Sequence, residues 1–554
     1  MTVSAQPVGH GAVPIALVRP PAVALQNSFS GPGTVPPLGL AYIAATLRDV
    51  GYDVQVVDAV GEDPGRWIGI DSPVGRLQRI GLSPAEIAAR IRPDARYVGM
   101  SLMFLHEWPT AREVVRAIKS AVPGATVIMG GETATSYAST ILDECPEVDV
   151  CVVGEGEATI VELLHRLDRG LPLDDLPGIV RRDEDGPRVV TGGLPVRRRR
   201  LGEIPRPAWD LVPVERYLEL RNSFGVDRGR SMPVLATRGC PYECTFCSSP
   251  QMWTTKYVVR DPEDVVSEIA ELVDRYDLRN VDFSDLTAIT RRRWTLEFCD
   301  ALDRRGLDIT WQLPVGTRAE ALDREVLTRL FETGCRNITY APESGSERML
   351  GIFGKKLSLP HVLMSVREAN RIGFKIHANL IIGHPEERWE DLFATFRLAI
   401  RLAVAGCDTL SAIMFAPYPG SVDYDRLLER GLVRAGDESC YVGLSRGASS
   451  HRSYNDSIGD RQLRAMQIGI EIAFFGVGFA MRPWRLVRAA RSQVGGRETT
   501  HLEQLVRLKR MGRRTRRAQR TQAVFDVGSG PVTVGGTPPI DRSAAEAPER
   551  AMVR

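Results

Sequence analysis

The stretch 237–250 reads TRGCPYECTFCSSP and sets Cys240, Cys244 and Cys247 at a CxxxCxxC spacing, while the other six of nine cysteines are scattered. A structural zinc site takes four ligands, commonly as two close pairs, and no second pair follows here. Iron-sulfur clusters take thiolates, and a four-iron cluster held by three of them leaves one iron free to bind a small molecule. A partial zinc knot or a chance grouping is the bland alternative. The position of the triplet favours function, because PVLATRG just before it reads as a strand and puts the cysteines at that strand's carboxyl end.

Downstream the alternation continues through NVDFSD, ITWQLPVGTR, NITYAPESG, KIHANLIIGHP and TLSAIMFAPYPG, with helical patterns such as PEDVVSEIAELVDRYD and DREVLTRLFETG between them. Six such units predict an incomplete (β/α)6 barrel over residues 231–425, with its chemistry at the carboxyl ends of the strands. Upstream, VPIALV, YDVQVVDA, YVGMSLMF, ATVIMGG and VDVCVVGEGE alternate with PLGLAYIAATLRDVG, AREVVRAIKSAV and ATIVELLHRLDRG. These predict an α/β, doubly wound, flavodoxin-like domain over residues 1–165. Residues 166–230 read as a connector, 426–493 as a helical C-terminal region, and 494–554 as a basic, disordered tail.

The 554 residues carry 43% apolar composition and a formal charge of +2, enough for several cores and too little positive charge for a nucleic-acid partner. The N-terminus lacks a secretory pattern, so a cytoplasmic, reducing setting is expected, and clustered thiols there point to metal or catalysis. Cys145, Cys151, Cys299, Cys335, Cys407 and Cys440 read as ordinary buried thiols.

CxxxCxxC after the first strand of a six-fold barrel resembles the radical S-adenosylmethionine superfamily. The resemblance implies that Cys240, Cys244 and Cys247 hold a 4Fe-4S cluster whose fourth iron binds S-adenosylmethionine, which is cleaved reductively to a 5'-deoxyadenosyl radical. Phe246 is carried over as a contact of that molecule. Ser284 and Asp285 in FSDL stand where the family meets the methionine amino group, and Arg318 stands where a carboxylate partner is found. Glu343 and Ser344 in APESGSERML match the ribose or methionine end. The backbone at Ile382, Gly383 and Pro385 in LIIGHPEE matches the adenine-facing segment. His384 is uncommon in that slot and reads as an incidental polar neighbour.

The upstream half resembles the cobalamin-binding domain of the cobalamin-dependent branch, which nominates Pro37, Gly39, Ser101, Gly130, Gly131, Glu132, Gly154 and Glu155 as lining residues. The loop RPPAVALQNSFSGPG lacks the DxHxxG histidine that ligates cobalt in many such domains, and His106 is the nearest substitute. The resemblance implies a radical C-methyltransferase acting on an unactivated carbon of a natural-product, lipid or similar small-molecule substrate, with an external electron donor such as a flavodoxin or ferredoxin. Cyclase or oxidoreductase chemistry without methyl transfer, and a redox or metal-binding protein that cleaves nothing, are the alternatives. The C-terminal run IAFFGVGFAM, followed by arginines, reads either as a core helix or as a peripheral membrane contact, being too short to span a bilayer.

Overall fold

A computed structural model describes residues 13–25, 34–72, 75–183, 186–189, 197, 200–221, 223–437, 452–495, 499–500 and 502–503. These belong to one unit, Met1–Leu505. The expected disordered tail and Cys440 lie outside the described residues, apart from the few at 494–503 given above.

In the first sheet β1 (Pro14–Arg19), β2 (Asp53–Asp58), β3 (Tyr97–Ser101), β4 (Thr126–Gly130) and β5 (Val150–Val152) run parallel in the order β2-β1-β3-β4-β5. Strand side chains alternate faces, so Ile15 and Leu17 pack with Leu40, Ala44, Ile160 and Leu163 from one pair of helices. Ala16 and Val18 pack on the other face with Trp108, Val114 and Ile141. Helices on both faces make the sheet doubly wound, as the five apolar runs predict. The strand order reverses at β1 and β3, where the departing loops part and open a crevice at the carboxyl edge.

Two features were not legible. β6 (Ile179–Asp183) and β7 (Gly186–Val189), within the stretch read as a connector, extend this sheet antiparallel beyond β5. Ala22–Leu25, Gly75–Ile80 and Trp67–Ser72 form a small antiparallel sheet of their own. Both use short strands, most of them interrupted by charge, whose partners are set by tertiary packing, so a local apolar pattern does not announce them.

The second sheet carries β8 (Ser231–Val234), β9 (Asn280–Phe283), β10 (Thr310–Thr317), β11 (Cys335–Glu343), β12 (Lys375–Ile382) and β13 (Thr409–Met414), parallel and in sequence order. β8 and β13 are its two edges, so the barrel is open. Ile376, Ala378, Leu380 and Ile382 of β12 are buried in the main core, while His377, Asn379 and Ile381 occupy the half-buried opposite face. The intervening helices start where the sequence supplies caps: the Asp261 carboxylate accepts from the Glu263 N–H with Pro262 in the first turn, and Asp323 accepts from Val326 N–H.

The C-terminal helix Asp460–Met481 packs on the last barrel unit through Leu463, Ile470 and Phe474, and Gln467 Nε2 donates to the Ala412 carbonyl at 2.6 Å. Arg485, in the next helix, donates to the carbonyls of Cys407 and Gly406 at 2.8 and 2.7 Å.

Gly131, after β4, has φ +104, and a Cβ there would sit 2.5 Å from the Leu102 carbonyl oxygen. Gly131→Ala is therefore expected to lower stability by about 1–3 kcal/mol in urea unfolding. Gly130→Ala, whose added carbon meets nothing within 4 Å, should change it by less than about 1 kcal/mol.

Candidate functional site

The cysteine loop leaves the sheet after β8 and returns through a two-residue strand, Thr237–Arg238, paired with Val258–Val259. A loop that must aim three thiols outward cannot satisfy its own backbone, and neighbouring strands do it instead. Asp285, buried at the end of β9, accepts from the N–H groups of Ala236 and Thr237 and from Thr237 Oγ1 at 2.5 Å. Burial pushes its pKa up to about 6. Asp285 thus has a definite task here, holding the start of the loop, while Ser284 beside it is half-buried and donates its N–H to Val234.

Cys240, Cys244 and Cys247 are free and partly exposed. Among the described residues no three His, Cys, Asp or Glu side chains converge on one ion. Burial raises the pKa of all three thiols, and the positive charges of Arg318 and Lys355 oppose it at Cys240 and Cys244. The Arg318 guanidinium lies 3.5 Å from the ring centre of Tyr242, inside the loop, and donates to the Lys356 carbonyl at 2.8 Å. Lys355 Nζ donates to Glu343 Oε1 at 2.6 Å, both side chains being buried. Glu343 has φ +60, a left-handed backbone unusual for a residue with a side chain, at the carboxyl end of β11. Strain of this kind is held only where the surroundings enforce it.

The remaining nominated residues gather at the same end. Phe246 meets Phe353 edge to face at 5.2 Å. Ser344 is fully buried, its Oγ 3.1 Å from Thr395 Oγ1, so it braces the turn after β11. The Ile382 carbonyl accepts from Phe415 N–H at 2.7 Å, and Gly383, at φ +83, donates to the Glu387 carboxylate. Asn455 Nδ2 donates to the carbonyls of His384, Pro385 and Glu387 at 2.9, 3.1 and 2.7 Å, fixing this turn.

From the first sheet, Ser101, Gly130, Gly131, Glu132, Gly154 and Glu155 lie at or just beyond the carboxyl ends of β3, β4 and β5. Pro37 caps the helix Leu38–Asp49, and Gly39 in its first turn, like Gly130, faces open space. Met103 and Phe104 beside them are 52% and 47% exposed. This edge meets the cysteine loop directly. Ser248 Oγ donates to Glu132 Oε1 at 2.7 Å, and Thr135 Oγ1 lies 3.2 Å from Met252 Sδ while accepting from Gly154 N–H at 2.9 Å. The Glu155 carboxylate is 3.4 Å from Arg197 and 3.6 Å from Arg238, and Arg238 donates to Glu157 at 2.6 Å, all four side chains being buried. Glu155 therefore ties the two sheets together. His106 Nε2 donates to the Val23 carbonyl at 3.1 Å, and burial lowers its pKa to about 4.

Sequence reading missed Lys355, Arg238 and the Ser248–Glu132 contact. Lys355 had a signal: six of the 71 basic residues are lysines, so a lysine in this chain stands out. Arg238 and Ser248 flank the cysteines, but only the fold says which carboxylates they meet.

A family model of the B12 binding domain matches residues 29–164, and one of the radical SAM superfamily, named for S-adenosylmethionine, matches residues 234–399. An uncharacterised methyltransferase of Pyrococcus horikoshii is 28% identical over 427 residues, covering 76% of this chain and 84% of its own. Cytidylyl-2-hydroxyethylphosphonate methyltransferase of Streptomyces wedmorensis is 28% identical over 458 residues, covering 77% and 84%. The structure of TsrM from Kitasatospora setae with cobalamin and a 4Fe-4S cluster bound shares the fold at a TM-score of 0.57 and 18% identity, over 77% of this chain and 76% of that one. The chain is an enzyme of the cobalamin-dependent radical S-adenosylmethionine family, with cobalamin, a 4Fe-4S cluster and S-adenosylmethionine as its cofactors.

Glu387 is buried beside the site, and burial pushes its pKa up from 4.5 to about 7. A raised acid favours the protonated folded state, so its stability contribution is complete below the ordinary value and is lost as pH rises through about 7. Glu387→Gln keeps an acceptor for Gly383 and should flatten the fall in thermal midpoint between about pH 5 and about pH 8.

Proposed function

We propose that the protein is a radical C-methyltransferase that places a methyl group on an unactivated carbon of a small-molecule substrate. The observation that carries this reading is the Ser248–Glu132 hydrogen bond of 2.7 Å, which sets the cysteine loop against the glycine-rich edge of the first sheet. With the two edges in contact, one site can serve both cofactors. When bound, they supply a carbon-centred radical that removes a substrate hydrogen and a methyl group that takes its place.

The chain's own residues bind, orient and exclude water. Cys240, Cys244 and Cys247 hold the cluster and leave one iron open. Ser284, Arg318 and Glu343 face the polar end of S-adenosylmethionine, with Lys355 neutralising the buried Glu343 carboxylate; Asp285 and Ser344 position the backbone around it. Phe246 packs beside the same group, and the backbone of Ile382, Gly383 and Pro385 receives adenine. Gly39 and Gly130 leave room for a flat macrocycle against Met103 and Phe104, with Pro37, Ser101, Gly131 and Gly154 shaping the same edge, while Glu132 and Glu155 hold that edge to the barrel. An external donor such as a flavodoxin or ferredoxin supplies the electron.

The reading includes a peripheral membrane contact. The helix Asp460–Met481 has the length and composition to cross a bilayer, yet its Leu463, Ile470 and Phe474 face is committed to the barrel. Its opposite face exposes Ile468, Ile472 and Met481, continued by Trp484, Leu486 and Val487 and by Phe393 and Val404 of the adjoining helix. Residues 482–520 carry 13 lysines and arginines against two glutamates. An apolar face followed in the sequence by such a charge excess fits the surface of an anionic bilayer.

Anaerobic reconstitution of the full chain should yield a product heavier by one methylene group from the accepted substrate, and replacing any one of Cys240, Cys244 and Cys247 by Ala should abolish both this and 5'-deoxyadenosine release. Substrate turnover without a mass gain would indicate ring closure instead. On anionic vesicles the protein should sediment at low salt and be released at high salt; protein that stays in the supernatant at low salt rules the membrane contact out.

A further inference from the structure

His384, read from sequence as incidental, lies in a connected set of buried groups that reaches the cysteine loop. Asp423, in the helix Val422–Glu429 after β13, is 2% exposed and grips Thr245 twice. Its N–H donates to the Thr245 carbonyl at 3.0 Å, and its Oδ2 accepts from Thr245 Oγ1 at 2.8 Å. Thr245 lies between Cys244 and Cys247, and its own N–H donates to the Phe353 carbonyl at 3.1 Å. Arg426 donates to the other Asp423 oxygen at 3.2 Å.

On the far side of Asp423 is His384, also 2% exposed, its Nε2 3.3 Å from Asp423 Oδ2. His384 Nδ1 accepts from Glu386 N–H at 3.2 Å, which leaves the ring proton on Nε2, toward the carboxylate. Buried Nε2 nevertheless lacks a fully formed hydrogen bond, so a small movement of the turn would complete it. The ring stands edge-on between Phe353 at 5.3 Å and Phe415 at 5.0 Å, which confines that movement.

We propose that His384 is a positioning residue that couples the adenine-facing turn at Ile382–Pro385 to the cysteine loop through Asp423 and Thr245. The inference rests on the reading of Cys240, Cys244 and Cys247 as cluster ligands. Seating the adenosyl group moves the turn, His384 closes its bond to Asp423, and Asp423 fixes Thr245 and hence the two cysteines flanking it. His384 touches neither substrate nor cluster.

Two substitutions in the full-length protein separate packing from hydrogen bonding. His384→Phe keeps an edge-on ring without a donor, and His384→Gln loses the ring while placing an amide N–H near the former Nε2. Wild type and both variants should reconstitute equal iron. Adding S-adenosylmethionine should shift the electron paramagnetic resonance spectrum of the reduced cluster in wild type and H384Q, and weakly in H384F, whose dissociation constant for S-adenosylmethionine should rise about ten-fold. Before S-adenosylmethionine is added, amide exchange across residues 245–247 should be the same in wild type and H384F, and its addition should slow that exchange in wild type but not in H384F. If H384F takes up no iron, Asp423→Asn carries the comparison, since it keeps an acceptor for Thr245 but removes the charge facing His384. A normal wild type beside an H384F with unaltered affinity and spectral shift overturns the coupling alone, as does an H384Q no better than H384F. A wild type that takes up no iron overturns the cluster reading and the coupling with it.

Discussion

Three thiols drawn from eight residues must face one space, and the backbone between them gives up regular hydrogen bonding to do so. Each end of that loop is held from outside. Asp285 secures its entry through Ala236 and Thr237, Asp423 its middle through Thr245, and Glu132 its exit through Ser248. These three carboxylates come from β9, from the helix after the last barrel strand, and from the other sheet. The loop is therefore correct only when both sheets are built, which makes the cluster site a property of the whole fold.

The charges around it follow the same logic. Arg318 and Lys355 are buried next to sulfur, where isolated cations would be costly. The Tyr242 ring and the Lys356 carbonyl accommodate Arg318, and Glu343 accommodates Lys355. Glu343 is held in a left-handed backbone at the point where the register between β11 and β12 shifts, so the ion pair and the local strain occupy the same strand end. At the seam between the sheets, Glu155 and Glu157 meet Arg197 and Arg238, with Arg238 also over the Tyr42 ring at 5.2 Å. Such buried pairs favour one arrangement of the two sheets more than they add stability.

The regular part of this fold was legible because parallel strands covered by helices must carry continuous apolar runs, and all eleven of these runs correspond to strands in the two large sheets. The cysteine spacing and the motifs at successive strand ends were legible because cofactor chemistry restricts residue type. The antiparallel additions Ile179–Asp183 and Gly186–Val189 were not, since their pairing depends on partners rather than on an internal pattern. The tasks of Asp285, Glu155 and His384 were hidden for a related reason: a sequence shows that a carboxylate or imidazole stands at a strand end, but only packing shows whether it turns toward a ligand or toward the backbone of a neighbouring loop.

The central claim is that the three cysteines leave one iron of the cluster open to S-adenosylmethionine. It is tested most directly by electron-nuclear double resonance on the reduced, reconstituted protein with S-adenosylmethionine isotopically labelled at its amino nitrogen and carboxylate oxygen. The account predicts hyperfine coupling from both labelled atoms to the cluster. A paramagnetic four-iron cluster that shows no coupling to either atom would contradict it.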